Sequence, residues 1–92
     1  MKNLHFAIIC SYNCVKHLNE LEELTEEQRD LLFDFERNAW AKVTEDDMQE
    51  YGDYSAVKKE VLEVLQNNKL TFADSRCYGY LIYSVYENMR TK

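Results

Sequence analysis

The chain has 92 residues, no proline, only two glycines (Gly52 and Gly79) and 46% hydrophobic residues. That suffices for one domain around one core, and it is too poor in turn-forming residues for a loop-rich or all-β fold. The net charge is −6 and no apolar run approaches the ~18 residues of a membrane span, so neither a disordered chain nor a bilayer-spanning one is expected.

The charge is unevenly placed. Between Glu20 and Asp53 there are thirteen acidic residues against three basic ones, a net of −10, while residues 1–19 and 54–92 each carry +2. Such a field repels phosphates and attracts basic surfaces. Three cysteines, an odd number, fit reduced thiols better than a disulfide framework, so a cytoplasmic location is expected. The opening "LHFAIIC" is too short for a secretory signal, and no small-residue cleavage motif follows it.

In chain order, the first helix is expected from about residue 3 into the low twenties. Leu4, Ile8, Val15 and Leu18 form one stripe, with Tyr12 at its edge. The alternation of Leu4, Phe6 and Ile8 admits a strand at 3–10 instead. Cys10, Cys14 and His17 share one face at spacings of four and three. Thiolate and imidazole bind zinc well, but a closed site needs a fourth ligand, and Cys77 is the only further thiol. Small buried thiols beside a boundary histidine account for the same pattern. Cys14 and His17 show no third group to orient them as nucleophile and base.

Three segments carry the pattern of a helix-opening threonine with an acid or amide three residues later: "LTEEQ", "VTEDD" and "LTFAD". They predict helices opening at Thr25, Thr44 and Thr71. Over 26–43, Leu31, Leu32, Phe35, Ala39 and Val43 share an arc of about 120°, which predicts the buried face. Phe33 and Trp40 fall on a second stripe outside it. A helical turn over Glu45–Tyr51 should end at Gly52, a natural C-cap. The acids of "EDDMQEYGD" do not make a calcium loop. With Gly52 at the obligatory glycine, Asp47, Gln49 and Tyr51 fall at ligand positions, but Lys58 stands where a glutamate is required.

Ser55 is then placed to cap a helix over 56–66, with Val57, Val61, Val64 and Leu65 inward and Asn67 and Asn68 at its end. The last segment, "CYGYLIYSVY", reads as a strand by propensity. The capping pattern at Thr71 and the lack of partner strands favour a helix from Phe72 to about Arg90. Tyr78, Leu81, Ile82, Val85, Tyr86 and Met89 then face inward, and Tyr80 and Tyr83 outward. So apolar a helix is expected at the centre of the bundle. The expected fold is all-α, a single helical domain of four or five short helices; the alternative is α+β with strands near 3–10 and 77–86.

Phosphate-binding glycine loops are absent and basic residues do not cluster, so neither nucleotide chemistry nor direct nucleic-acid binding is expected. No pair of carboxylates is marked for acid–base catalysis, and no cofactor or metal is called for. The acidic band remains. As plain surface it serves solubility; as a site it fits a non-enzymatic protein that covers a basic, nucleic-acid-binding surface of a partner. Small inhibitors of nucleases, CRISPR and restriction enzymes among them, and immunity proteins against nuclease toxins have this character. Glu26, Glu27, Asp30, Asp34, Glu45, Asp46, Asp47, Glu50 and Asp53 would supply charge, and Trp40, Tyr51 and Tyr54 would anchor. The alternative is self-association of a structural or regulatory module through Tyr80 and Tyr83.

Overall fold

A computed structural model describes residues 3–18, 23–48, 51–72 and 74–90, and all but the Leu18 side chain within them. The fold is all-α. Five helices hold 82% of the described residues, with no strand among them: α1 (Asn3–Leu18), α2 (Glu26–Ala41), α3 (Glu45–Met48), α4 (Tyr54–Asn67) and α5 (Ser75–Arg90). The strands weighed for 3–10 and 77–86 are helical. None of the described helices is long and apolar enough to cross a membrane.

Helix α1, not α5, is the centre. It packs against each of the other four, whereas α5 packs mainly against α1 and α4. Leu4, Ala7, Ile8, Cys10, Ser11, Tyr12, Cys14 and Val15 are all buried. At 100° per residue they cover roughly 200° of the helix, far more than one amphipathic stripe. Tyr12, expected at the edge, is 3% exposed. Its hydroxyl donates to the Thr71 carbonyl at 2.7 Å, so the polar tip is satisfied while the ring is buried.

One side of α1 faces α2. Asn3 Nδ2 donates to the Lys42 carbonyl (3.1 Å), and Cys14 Sγ reaches the Leu32 carbonyl (3.5 Å). The partners run in opposite directions along the chain, so α1 and α2 form an antiparallel hairpin. Ala7, Cys10, Ser11 and Cys14, spaced by three and four, give this side a row of small side chains that admits a bulky one. Trp40 fills that role: it is 4% exposed, and its indole Nε1 donates to Ser11 Oγ at 2.9 Å inside the core.

The other side of α1 meets the α4/α5 hairpin. His5 Nε2 lies 2.5 Å from Glu60 Oε1 on α4. The Tyr12 ring lies tilted by 40° against Phe72, with centroids 4.6 Å apart, and Phe72 meets Tyr78 edge-on. Tyr54 near the start of α4 meets Tyr86 near the end of α5, with ring centroids 5.5 Å apart, so this pair is antiparallel too. Val57, Val61, Val64 and Leu65 of α4 and Cys77, Leu81, Ile82 and Val85 of α5 complete the core.

The caps follow the sequence in part. Thr25 forms the full reciprocal box with Gln28 (3.2 and 3.0 Å), and Thr44 and Asp47 make the same exchange before α3 (2.9 and 3.3 Å). Thr71 does not cap α5, which begins four residues later. Its carbonyl serves Tyr12, and Asp74 instead accepts from the Arg76 backbone N–H (2.9 Å). Asp53, not Ser55, caps α4 by accepting from the Ala56 N–H (2.8 Å). The carboxylate reaches N3 from one turn earlier, which lets Tyr54 and Ser55 join the helix.

Among the described residues it is Lys69 (φ 55°), not Gly52, that takes the left-handed conformation. The Leu70 N–H bonds the Leu65 carbonyl and the Lys69 N–H bonds the Gln66 carbonyl, the two bonds of a Schellman C-cap closing α4. A Cβ is strained in that conformation, so Lys69→Gly should stabilise the protein by about 1 kcal/mol in urea denaturation.

The buried Trp40–Ser11 bond makes a second prediction. Trp40→Phe strands the Ser11 hydroxyl and Ser11→Ala strands the indole N–H, each costing about 2 kcal/mol. The double variant should cost clearly less than the sum of the two, measured as a double-mutant cycle in urea.

Candidate functional site

Helix α2 packs chiefly against α1, so most of its circumference is open. Its inward residues are Ala39 and Trp40, with Val43 just beyond its end and Leu32 and Glu36 half-buried. Compared with the arc drawn from the sequence, the helix is turned by roughly 60°, less than one residue step. The physical reason is Trp40. Burying the indole against the small-residue side of α1 and giving its N–H a partner outweighs burying Leu31 and Phe35. Both are left outside, 58% and 62% exposed.

These two residues are four apart, so they adjoin on the helix surface. Beside them on the outer face stand Glu27, Asp30 and Asp34, all exposed, and Glu27, Asp30, Leu31 and Asp34 border a shallow open depression of about 300 Å³. The outer face of α2 thus has an acidic half and an apolar half. Arg37, 3.4 Å from Asp34, is the cation at its margin; both partners are largely solvated, and the pair adds little to stability.

The other expected site residues divide. Glu26, Glu45 and Asp46 are exposed. Asp47 and Asp53 are exposed too, but their carboxylates are engaged as helix caps. Glu50 lies outside the described residues. Trp40, expected as an anchor, is in the core and cannot serve as one in this structure. Tyr51 is half-buried against the core. Tyr54 is 42% exposed, with one edge against Tyr86. The exposed apolar side chains of this face are Leu31 and Phe35, which the sequence pattern had assigned to the core. The signal that could have found them was the surplus of apolar residues on α2: they spread over more of the helix than one neighbour covers, so Leu31, Phe35 and, at 39% exposed, Phe33 stay outside.

The thiols lie inside the bundle. Cys10, Cys14 and Cys77 are buried and unbridged, and among the described residues no three metal-binding side chains converge. A cavity of only about 10 Å³, lined by Cys14, His17, Leu24, Arg29, Leu32 and Phe33, lies at the α1/α2 end of the bundle. That is room for a single water at most. Burial, reinforced by the Glu36 carboxylate, pushes the Cys14 thiol up to about 12 and raises Cys10 in the same way. A thiol held protonated is a poor nucleophile.

No known family model matches the chain, and no curated protein or solved structure matches it.

The raised thiol sets a pH dependence. Below about pH 9 Cys14 is protonated in both folded and unfolded chains; between about 9 and 12 the unfolded chain loses the proton and the folded one keeps it. The unfolded state then binds fewer protons, so native stability falls as pH rises through that window. Urea midpoints across the window should decline less steeply for Cys14→Ala than for the parent. A thiol reagent at neutral pH should modify Cys14 only after denaturation.

Proposed function

We propose that the protein is a non-enzymatic binding protein that docks the outer face of α2 on a basic surface of a partner protein. The observation that carries this reading is the exposed Leu31–Phe35 pair set beside Glu27, Asp30 and Asp34. Leaving two large apolar side chains in water costs the free energy their burial would release, about 2 kcal/mol each. Apolar anchors edged with charge are the usual anatomy of an interface, where the charge steers encounter and the anchors slow release.

The partner surface is one that normally holds nucleic acid. Carboxylates at Glu27, Asp30 and Asp34 recur at helical spacing, about 5–6 Å, close enough to phosphate spacing to meet the same lysines and arginines. Inhibitors of nucleases, including CRISPR and restriction enzymes, and immunity proteins against nuclease toxins are the classes that work this way. Glu26 and the exposed acids of α3, Glu45 and Asp46, extend the negative field and speed association without touching the anchor.

The test is capture of partners by tagged protein from a host lysate, eluted in a salt gradient. A nucleic-acid-binding protein should be retained, released by moderate salt and displaced by added duplex DNA. Asp30→Lys with Asp34→Lys should abolish retention. Leu31→Ala with Phe35→Ala should weaken it by about thirtyfold or more while leaving the thermal midpoint nearly unchanged. Asp46→Lys should mainly slow association. Retention that survives both double variants would overturn the assignment to α2.

A further inference from the structure

The outer face of α5 carries a second exposed surface, with a different character from that of α2. Arg76, Tyr80, Tyr83, Glu87 and Arg90 recur at steps of three and four, so they share one side of the helix, opposite the buried Leu81, Ile82 and Val85. Tyr80 and Tyr83 are 67% and 59% exposed, the first among the most exposed large side chains of the molecule. Neighbouring Gly79 is open, with nothing within 4 Å of where a Cβ would stand. Each end of the face bears one charge of each sign. Arg76 bonds Asp74 at 2.9 Å at the N-terminal end, and Arg90 lies 3.5 Å from Glu87 at the C-terminal end.

We infer that this face binds a second copy of the chain, with two α5 helices packed antiparallel about a two-fold axis between Tyr80 and Tyr83. The charge order selects that arrangement. Positions equidistant from the axis meet, so Arg76 lies opposite the partner's Glu87 and Tyr80 opposite the partner's Tyr83. Arg90 falls beside the partner's Asp74. Every charge on the face then meets its opposite, and each meeting occurs twice, as a two-fold interface requires. A parallel pairing in register would set Arg76 on Arg76 and Glu87 on Glu87, which is repulsive throughout. The four rings fill the middle, and Gly79 leaves room for the partner's Tyr83. Aromatic rings supply a large apolar area at low conformational cost, which suits them to the centre of an interface.

One helix against one helix buries less than about 1,200 Å², the range of reversible complexes, so monomer and dimer should exchange with concentration. The acidic face of α2 takes no part in this contact.

Sedimentation equilibrium over a concentration series tests the inference, with circular dichroism as the check on folding. The parent should show a monomer–dimer equilibrium, and Tyr80→Ala with Tyr83→Ala should shift it to monomer. Arg76→Glu alone sets like charges opposite at both ends, as does Glu87→Arg alone, and each should be monomeric. The decisive arm is the mixture: Arg76→Glu protein combined with Glu87→Arg protein should restore a dimer containing one of each, and so should both changes in one chain. Leu31→Ala with Phe35→Ala should leave the dimer unaffected. A parent that stays monomeric at every concentration, or a dimer that persists in Arg76→Glu, would overturn the inference. So would loss of the dimer in the Leu31/Phe35 variant, or failure of the mixture to restore it.

Discussion

The structure depends on the burial of α1 from two sides at once. A 16-residue helix with a single apolar stripe would leave the two hairpins with nothing in common, whereas α1 buries roughly 200° of its surface and so joins them. Such wide burial brings polar groups inside, and each must find a partner. Ser11 accepts the Trp40 indole N–H on the α2 side, and the Tyr12 hydroxyl donates to the Thr71 carbonyl on the other. His5, less deeply placed, meets Glu60 of α4. These bonds give α1 a definite rotation as well as a place, which apolar packing alone would leave underdetermined.

The exposed face of α2 follows from the same constraint. Once Ser11 and the small side chains around it fix where Trp40 must go, the rotation of α2 is decided, and Leu31 and Phe35 are turned outward whatever their hydrophobicity. They stand there beside Glu27, Asp30 and Asp34, and the packing of α2 on α1 does not use them. Asp47 and Asp53 are a useful contrast. They belong to the same acidic band, but their carboxylates close helix ends, so part of the band's charge has a structural origin.

Much of the architecture was legible in local pattern. The Thr25 and Thr44 boxes, the valine stripe of α4 and the inward face of α5 were all readable, because each depends on contacts within a turn or two of helix. The errors share a cause. Trp40, Leu31 and Phe35 were placed on the wrong sides because α2 carries more apolar surface than one neighbour covers, and its rotation follows the Trp40 bond to Ser11, 29 residues away. The central place given to α5 belongs to α1 because a row of small residues, Ala7, Cys10, Ser11 and Cys14, counts for little in hydrophobicity yet permits the closest approach. Thr71 gave way to Asp74 as cap because its carbonyl is engaged by a tyrosine from another helix. Cys10 and Cys14, read from the sequence as small buried thiols, are buried, and burial together with the Glu36 carboxylate raises both thiols.

The two open faces differ in kind, and the difference bears on how they could be used together. The α2 face combines a net negative field with an apolar pair, so it is attracted to basic surfaces and repelled by its own copies. The α5 face is balanced, with Arg76 matched by Asp74 just before the helix and Arg90 by Glu87 within it, so it has no long-range preference and is selective only at contact. Charge of one sign acts over a Debye length of about 10 Å, whereas balanced pairs act only on touching. Because α2 and α5 lie on different hairpins joined through α1, occupation of one face need not cover the other. A dimer through α5 would carry two α2 faces, and a partner with two basic sites within their reach would be held more tightly than either face alone could hold it.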